Sequence, residues 1–304
     1  MTSKRGTVRY APAVLLTAAL VTATLSGCAS APAEGAACVE PGDASNQVSV
    51  SGKFGSEPSV DMPTPLYTPA PQVSTAIEGD GTRLKGTEVV ELSWTLYNGR
   101  TGEQIFATDY DDPQAASPTG MLPGMADALA CHTVGSRLVA TITPDKGFGK
   151  AGNPMYGVKP NDTLVMVIDI EEAYLGKANG ISMPVVQPGF PSVAVAPDGT
   201  PGLTIPNSDA PTKSKSALLQ LGSGDKVEKS DTVLAQIQQA SWNSQSITSS
   251  TWSDGSPKTI PMQEAPTELT AALDGTPVGS QVIVLVPTDD GDATIFVIDV
   301  LGIL

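Results

Sequence analysis

The chain has 304 residues, with 32 acidic against 17 basic side chains and a formal net charge of −15, and its sequence pI is near 4.3. A surface this acidic repels phosphate, which excludes nucleic acid as a partner and argues against anionic lipid headgroups. With 30 Gly, 26 Pro and 16% charged residues, the composition is that of a loop-rich β protein rather than a helical one.

Lys4, Arg5 and Arg9 precede an apolar run over 11–25, the layout of an export signal and too short to span a bilayer comfortably. The run ends Leu25-Ser26-Gly27-Cys28, which resembles the bacterial lipobox, in which the cysteine is lipidated and becomes the new N-terminus. Residues 1–28 are therefore read as a lipoprotein signal peptide and Cys28 as the lipidation site. The mature protein is expected to be extracytoplasmic, held to the cell membrane by acyl chains worth roughly 0.8 kcal/mol per buried methylene. In that oxidising compartment Cys38 and Cys131 are an even pair, and a disulfide is their simplest use. Two cysteines and the single His132 form no recognisable metal-ligand set, so no metal is expected.

Residues 29–46, small and polar, read as a linker. A first strand is expected within 47–60, from Val48, Val50 and Val60, followed by extended chain over the prolines at 63, 65, 69 and 71. Gly79-Asp80-Gly81 then turns the chain toward a long strand from Val89 to about Tyr97. A turn follows at Asn98-Gly99, with a return strand over 104–107. Helix is expected at 123–130, where Pro123 suits the first turn and Met125, Ala128 and Leu129 form an apolar stripe. Asp109, Asp111 and Asp112 read as a solvated loop, because no glycine stands where a calcium loop needs one. Residues 176–189 read as an interdomain linker.

Much of the first half is written twice. Val134-Gly135-Ser136-Arg137, an apolar run and Pro144 recur as Val278-Gly279-Ser280-Gln281, an apolar run and Pro287. The closing strand with Val167-Ile168-Asp169-Ile170 recurs as Val297-Ile298-Asp299-Val300. A repeat of about a hundred residues implies two related domains, 47–175 and 190–304. The second copy repeats the long strand at 232–240, the return strand at 246–250 and the helix at 267–273.

The ordered set Gly79-Asp80-Gly81, Val134-Gly135-Ser136-Arg137, Pro144-Asp145-Lys146-Gly147-Phe148-Gly149 and Asn161-Asp162-Thr163-Leu164-Val165-Met166-Val167-Ile168-Asp169-Ile170 resembles the FKBP-type peptidyl-prolyl isomerases. The resemblance covers 78–175 well and 221–304 more thinly. Tandem copies behind a lipobox look like the exported lipoprotein members found in high-GC Gram-positive bacteria. It implies an α+β fold: two FKBP-like domains, each a twisted antiparallel β-sheet wrapped around one short helix. It further implies an apolar cleft between helix and sheet that takes a prolyl ring and eases rotation about the preceding amide, a rotation that must break amide resonance. Such chemistry needs no cofactor and no nucleophile.

Carried over by position, the family's strand aromatic falls at Leu92 and its Phe-Asp pair at Phe106 followed by Ala107. Its aliphatic pair before the helix falls at Met121 and Leu122, and its helix Trp at Met125. The Tyr of the loop falls at Phe148, with Tyr156 in the same loop. Val158 and Met166 stand where active members have a branched aliphatic and a Phe. In the second copy the aromatic falls at Ile237 and the Phe-Asp pair at Thr248 and Ser249, and no Gly-Phe-Gly loop follows, so that copy is expected to be non-catalytic. The function implied is a peptidyl-prolyl isomerase or foldase, a monomer, acting on exported proteins or proline-containing peptides. The alternative is an inactive FKBP-like lipoprotein that binds a partner or unfolded chains.

Overall fold

The structure is a computed structural model that describes residues 37–185 and 187–304; residues 1–28, read from the sequence as a signal peptide ending in a lipidated Cys28, lie outside the described residues. Two antiparallel sheets dominate. The first is built from β3 (Gln72–Ile77), β4 (Val89–Asn98), β5 (Gln104–Ala107), β6 (Gln114–Ala116), β7 (Arg137–Ile142) and β8 (Leu164–Tyr174). Its order is β3-β7-β8-β4-β5, with β6 also pairing β4. Before it come a short helix α1 (Asp43–Asn46) and a hairpin of β1 (Ser49–Ser51) and β2 (Ser59–Asp61). The single first strand expected over 47–60 is thus two strands, because Gly52 and Gly55, at φ 117° and 73°, reverse the chain between them.

Both faces of this sheet are covered, which is why 164–168 reads as an unbroken apolar run. On one face, α2 (Pro123–Leu129) packs Met125, Ala128 and Leu129 against Leu92, Leu96, Leu138, Ile142, Met166, Ile168 and Ile170. The helix sits so close that a Cβ on Gly124 would lie 2.3 Å from Ile142 Cγ2. On the other face Ala44, Val48, Val50, Val60 and Leu66 cover Val139, Val165 and Val167. Residues 37–46 are therefore not a free linker. Ala44 and Ser45 are buried, their N–H groups donate to Gln72 Oε1, and Cys38 is joined to Cys131 by a disulfide.

The second sheet repeats the plan with β12 (Lys215–Leu221), β13 (Thr232–Ser241), β14 (Ser246–Ser250), β15 (Lys258–Pro261), β16 (Gln281–Pro287) and β17 (Ala293–Ile303). Its order is β14-β13-β17-β16-β12, and β15 lies against β13 as β6 lies against β4. Helix α4 (Thr267–Leu273) takes the place of α2, and a hairpin of β10 (Ser192–Val195) and β11 (Pro201–Thr204) covers the far face with Val193 and Leu203. The repeat reaches individual atoms. Gly135 N donates to Ile170 O and Gly279 N to Val300 O, each at 2.8 Å, and these glycines sit at φ 88° and 89°.

The segment 176–189, read from the sequence as an interdomain linker, supplies an outer strand, β9 (Ile181–Ser182), to the second sheet. Gly180 N donates to Gly279 O, and Ala178 N donates to the buried Asp299 carboxylate at 2.7 Å. The segment thereby supplies one of the hydrogen bonds that the buried Asp299 carboxylate accepts. Val89, Leu234 and Leu301 also form a small core shared by the two sheets, and a Cβ on Gly302 would lie 2.4 Å from the Tyr174 ring.

One pair distinguishes the repeats. Arg137 faces Asp169 in the first sheet, and Gln281 faces Asp299 in the second, donating to it at 2.7 Å. Lacking a cation of the kind Arg137 provides, Asp299 is pushed by burial from its ordinary 3.8 to about 6. An acid whose folded-state pKa is raised contributes stability that is complete below its unfolded pKa and lost as pH rises through the folded one. The gap is worth roughly 3 kcal/mol. Gln281→Arg should remove this loss, and Gln281 lines a cavity of about 590 Å³ that gives the longer side chain room. Urea midpoints measured from pH 4 to 7 should fall more steeply for the wild type than for the variant. Parallel curves would mean that Asp299 is already charged at pH 4.

Candidate functional site

Alternation along β4 puts Leu92, Trp94 and Leu96 on the helix side of the sheet. Leu92 is only 1% exposed and lies beneath the surface among the core residues. Trp94 is half-buried, and its ring lies 4.8 Å from that of Phe106 on β5, with 36° between the planes. The aromatic that this face of the strand presents is Trp94, two residues beyond Leu92. Its equivalent in the second repeat is Ile237. Trp94 N donates to Thr108 Oγ1 and Ile237 N to Thr251 Oγ1, both at 2.8 Å, and Trp94 and Ile237 face the repeat-related Ile168 and Ile298.

A second pair of rings comes from the long connection between β7 and β8. Phe148 and Tyr156 stack with centroids 5.6 Å apart and 24° between planes. Tyr156 ends a 3-10 turn, Pro154–Tyr156, in which Asn153 Oδ1 accepts the Met155 N–H. Asn153 and Val158 exchange backbone hydrogen bonds at 2.9 and 3.0 Å, which closes the loop and buries Val158. Asp162 fastens the loop to the β4–β5 turn, accepting from Lys159 N at 2.8 Å, Arg100 Nε at 3.0 Å and Asn98 Nδ2 at 3.2 Å. Burial opposes its charge, but these donors outweigh burial and hold its pKa below the usual carboxylate value.

Met121 and Leu122, half-buried just ahead of α2, complete the arrangement. Met125, Val158 and Met166, read from the sequence as cleft contacts, are at most 5% exposed and join Leu92 as a floor. Phe106 and Tyr156 are 45% and 42% exposed, and the neighbouring Met155 is 86% exposed. The structure thus brings the sequence-selected residues together in two layers, buried aliphatics beneath and rings and methionine above. Trp94 is the member that sequence reasoning missed. Ala107 carries no carboxylate, and among the described residues no group of His, Cys, Asp or Glu is placed to hold a metal. The exposed part of the assembly is apolar and aromatic, with the Tyr156 hydroxyl on one of its rings.

Residues 85–171, which span these layers, match the family model described as FKBP-type peptidyl-prolyl cis-trans isomerase. Among individual proteins, the chain is similar to the FKBP-type peptidyl-prolyl cis-trans isomerase FkpA of Escherichia coli K12, at 29% identity over 99 residues, covering 33% of this chain and 35% of that protein. The chain thus spans about a third of that relative's length. It is also similar to a probable FK506-binding protein of Corynebacterium glutamicum, at 28% identity over 124 residues, 38% of this chain and 98% of that one. Among solved structures, the three FKBP domains of wheat FKBP73 align over 77% of this chain and 95% of theirs, with 15% identity and a TM-score of 0.36.

Proposed function

We propose that this chain is a peptidyl-prolyl cis-trans isomerase or foldase that acts on exported proteins, with the activity in the first repeat. The observation that carries the reading is the pair of ring contacts, Trp94 with Phe106 and Phe148 with Tyr156, set with Met121 and Leu122 over an apolar floor. A proline ring laid on that floor would bring its preceding amide among groups that shed water. Desolvation favours the twisted, less resonance-stabilised amide over the planar one. The second repeat has Ile237 where the first has Trp94, and Ser249, one residue beyond the Thr248 read from the sequence, where the first has Phe106; residues 288–292 alone join its last two strands, so we assign it no catalysis. Anchoring through Cys28 would keep the protein where newly exported chains emerge.

The full chain should accelerate cis/trans isomerisation of a Leu-Pro tetrapeptide and a proline-limited refolding reaction. Phe148→Ala should lower kcat/KM roughly three- to tenfold, the value of one aromatic contact. Ala107, standing where the family has a carboxylate, favours a second reading, a binding protein for unfolded chains. Binding of an unfolded protein with no acceleration of either reaction would decide for it.

A further inference from the structure

The turn that leads into Met121 and Leu122 is held by the other half of the chain. Pro118–Gly120 is one 3-10 turn, closed by Gly120 N donating to Ser117 O at 3.0 Å. A turn this short, with poor hydrogen-bond geometry, does not fix its own position. Ser117 does so from outside it. Buried to 5% exposure, it donates both its N–H and its hydroxyl to the carbonyl of Gly255, at 3.3 and 3.0 Å. With its proton committed there, Ser117 Oγ accepts the hydroxyl of Thr119 at 2.9 Å.

The contact leaves no room for side chains. Gly255 ends a short helix α3 (Thr251–Asp254) at φ 63°; a Cβ there would lie 2.3 Å from Gly120 Cα, and one on Gly120 would lie 2.4 Å from Gly255 O. Two glycines therefore let the backbones of the two repeats meet directly. The second repeat's side of the contact is itself fixed. Thr251 Oγ1 accepts Ile237 N at 2.8 Å and donates to Gln236 Oε1, and both Thr251 and Gln236 are buried.

We infer that the second repeat braces the first: Ser117, Gly120 and Gly255 are positioning residues that set where Met121 and Leu122 stand over the floor. The inference rests on the reading of that site as one for proline. It gives a role to a repeat that has lost its own rings and loop, since displacing a positioning element by about 1 Å can cost on the order of a hundredfold in rate.

The test uses the full chain and three variants. Ser117→Ala removes the hydroxyl, Ser117→Thr keeps it at a backbone already extended (φ −91°, ψ 156°), and Gly255→Ala drives a methyl group into Gly120. The readouts are amide hydrogen exchange at Gly120 and Met121, kcat/KM for the Leu-Pro peptide, and the urea midpoint. Ser117→Ala should speed exchange roughly three- to tenfold, as expected for one lost hydrogen bond, and lower kcat/KM in the folded protein. Ser117→Thr should restore both, and Gly255→Ala should exceed Ser117→Ala in both. Unchanged exchange overturns the brace, and faster exchange with unchanged kcat/KM overturns its link to the site. Should Gly255→Ala fail to fold, the two Ser117 variants decide. A wild-type chain that neither binds nor isomerises the peptide defeats the functional reading instead, and exchange alone then reports whether the turn is braced.

Discussion

Arg137→Ala should cost about 3–5 kcal/mol of stability, because it strands a carboxylate in the interior. Arg137 and Asp169 are both fully buried, and Nε and Nη2 each donate to the carboxylate at 2.6 Å. The same pair ties down the β1–β2 hairpin: Arg137 Nη2 donates to Ser56 O at 2.7 Å and Gly55 N donates to Asp169 Oδ2 at 2.8 Å. Deleting the guanidinium leaves Asp169 with the Gly55 N–H alone. Pairing Arg137→Met with Asp169→Leu should recover part of the loss, since apolar side chains of similar volume often replace a buried ion pair without penalty. Recovery should be incomplete, because Gly55 N and Ser56 O would then lose their partners. Chemical denaturation of the single and double variants checks this, and a single variant within about 1 kcal/mol of wild type would show that water reaches Asp169.

Removing the disulfide by replacing both Cys38 and Cys131 with Ser should cost roughly 4–5 kcal/mol, because the bond joins residues 93 apart and closes a long loop of the unfolded chain. The loss has a local signature as well. Residues 38–46 are also held by Val73 N donating to Glu40 O, by the Gln72 side chain, by Ser74 Oγ donating to Ser45 O, and by the packing of Val39 and Ala44. Exchange protection at Ala44 and Ser45 should therefore fall before that of β7 and β8. Equal melting temperatures for reduced and oxidised protein would rule out this contribution.

The long strands and the two longer helices, α2 and α4, were legible because their signals are local. Apolar alternation at 89–98, Pro123 at a helix start and the doubled Val-Gly-Ser turn each lie within one element. The site was legible only to within a strand step. Leu92 and Trp94 face the same way, so periodicity cannot choose between them, and the choice is made by a hydrogen bond to Thr108, fourteen residues on. Composition misled most where partners are distant in sequence. Small and polar residues at 37–46 and 176–189 look like free linker, yet one segment is claimed by Gln72 and the other by Asp299, more than a hundred residues away. Which apolar residues form floor and which form rim depends on how deep each strand sits, a property of the assembled sheet.

Because residues 178–183 are laced to Gly279, Leu219 and Asp299, the boundary between the repeats does not fall where the chain changes composition. A gene fragment stopped at 189 would carry away the outermost strand of the sister repeat, and one begun at 190 would leave that sheet with a raw edge and an exposed acid. Dissection of this molecule should cut before Lys177, at the end of the last strand that the first repeat owns.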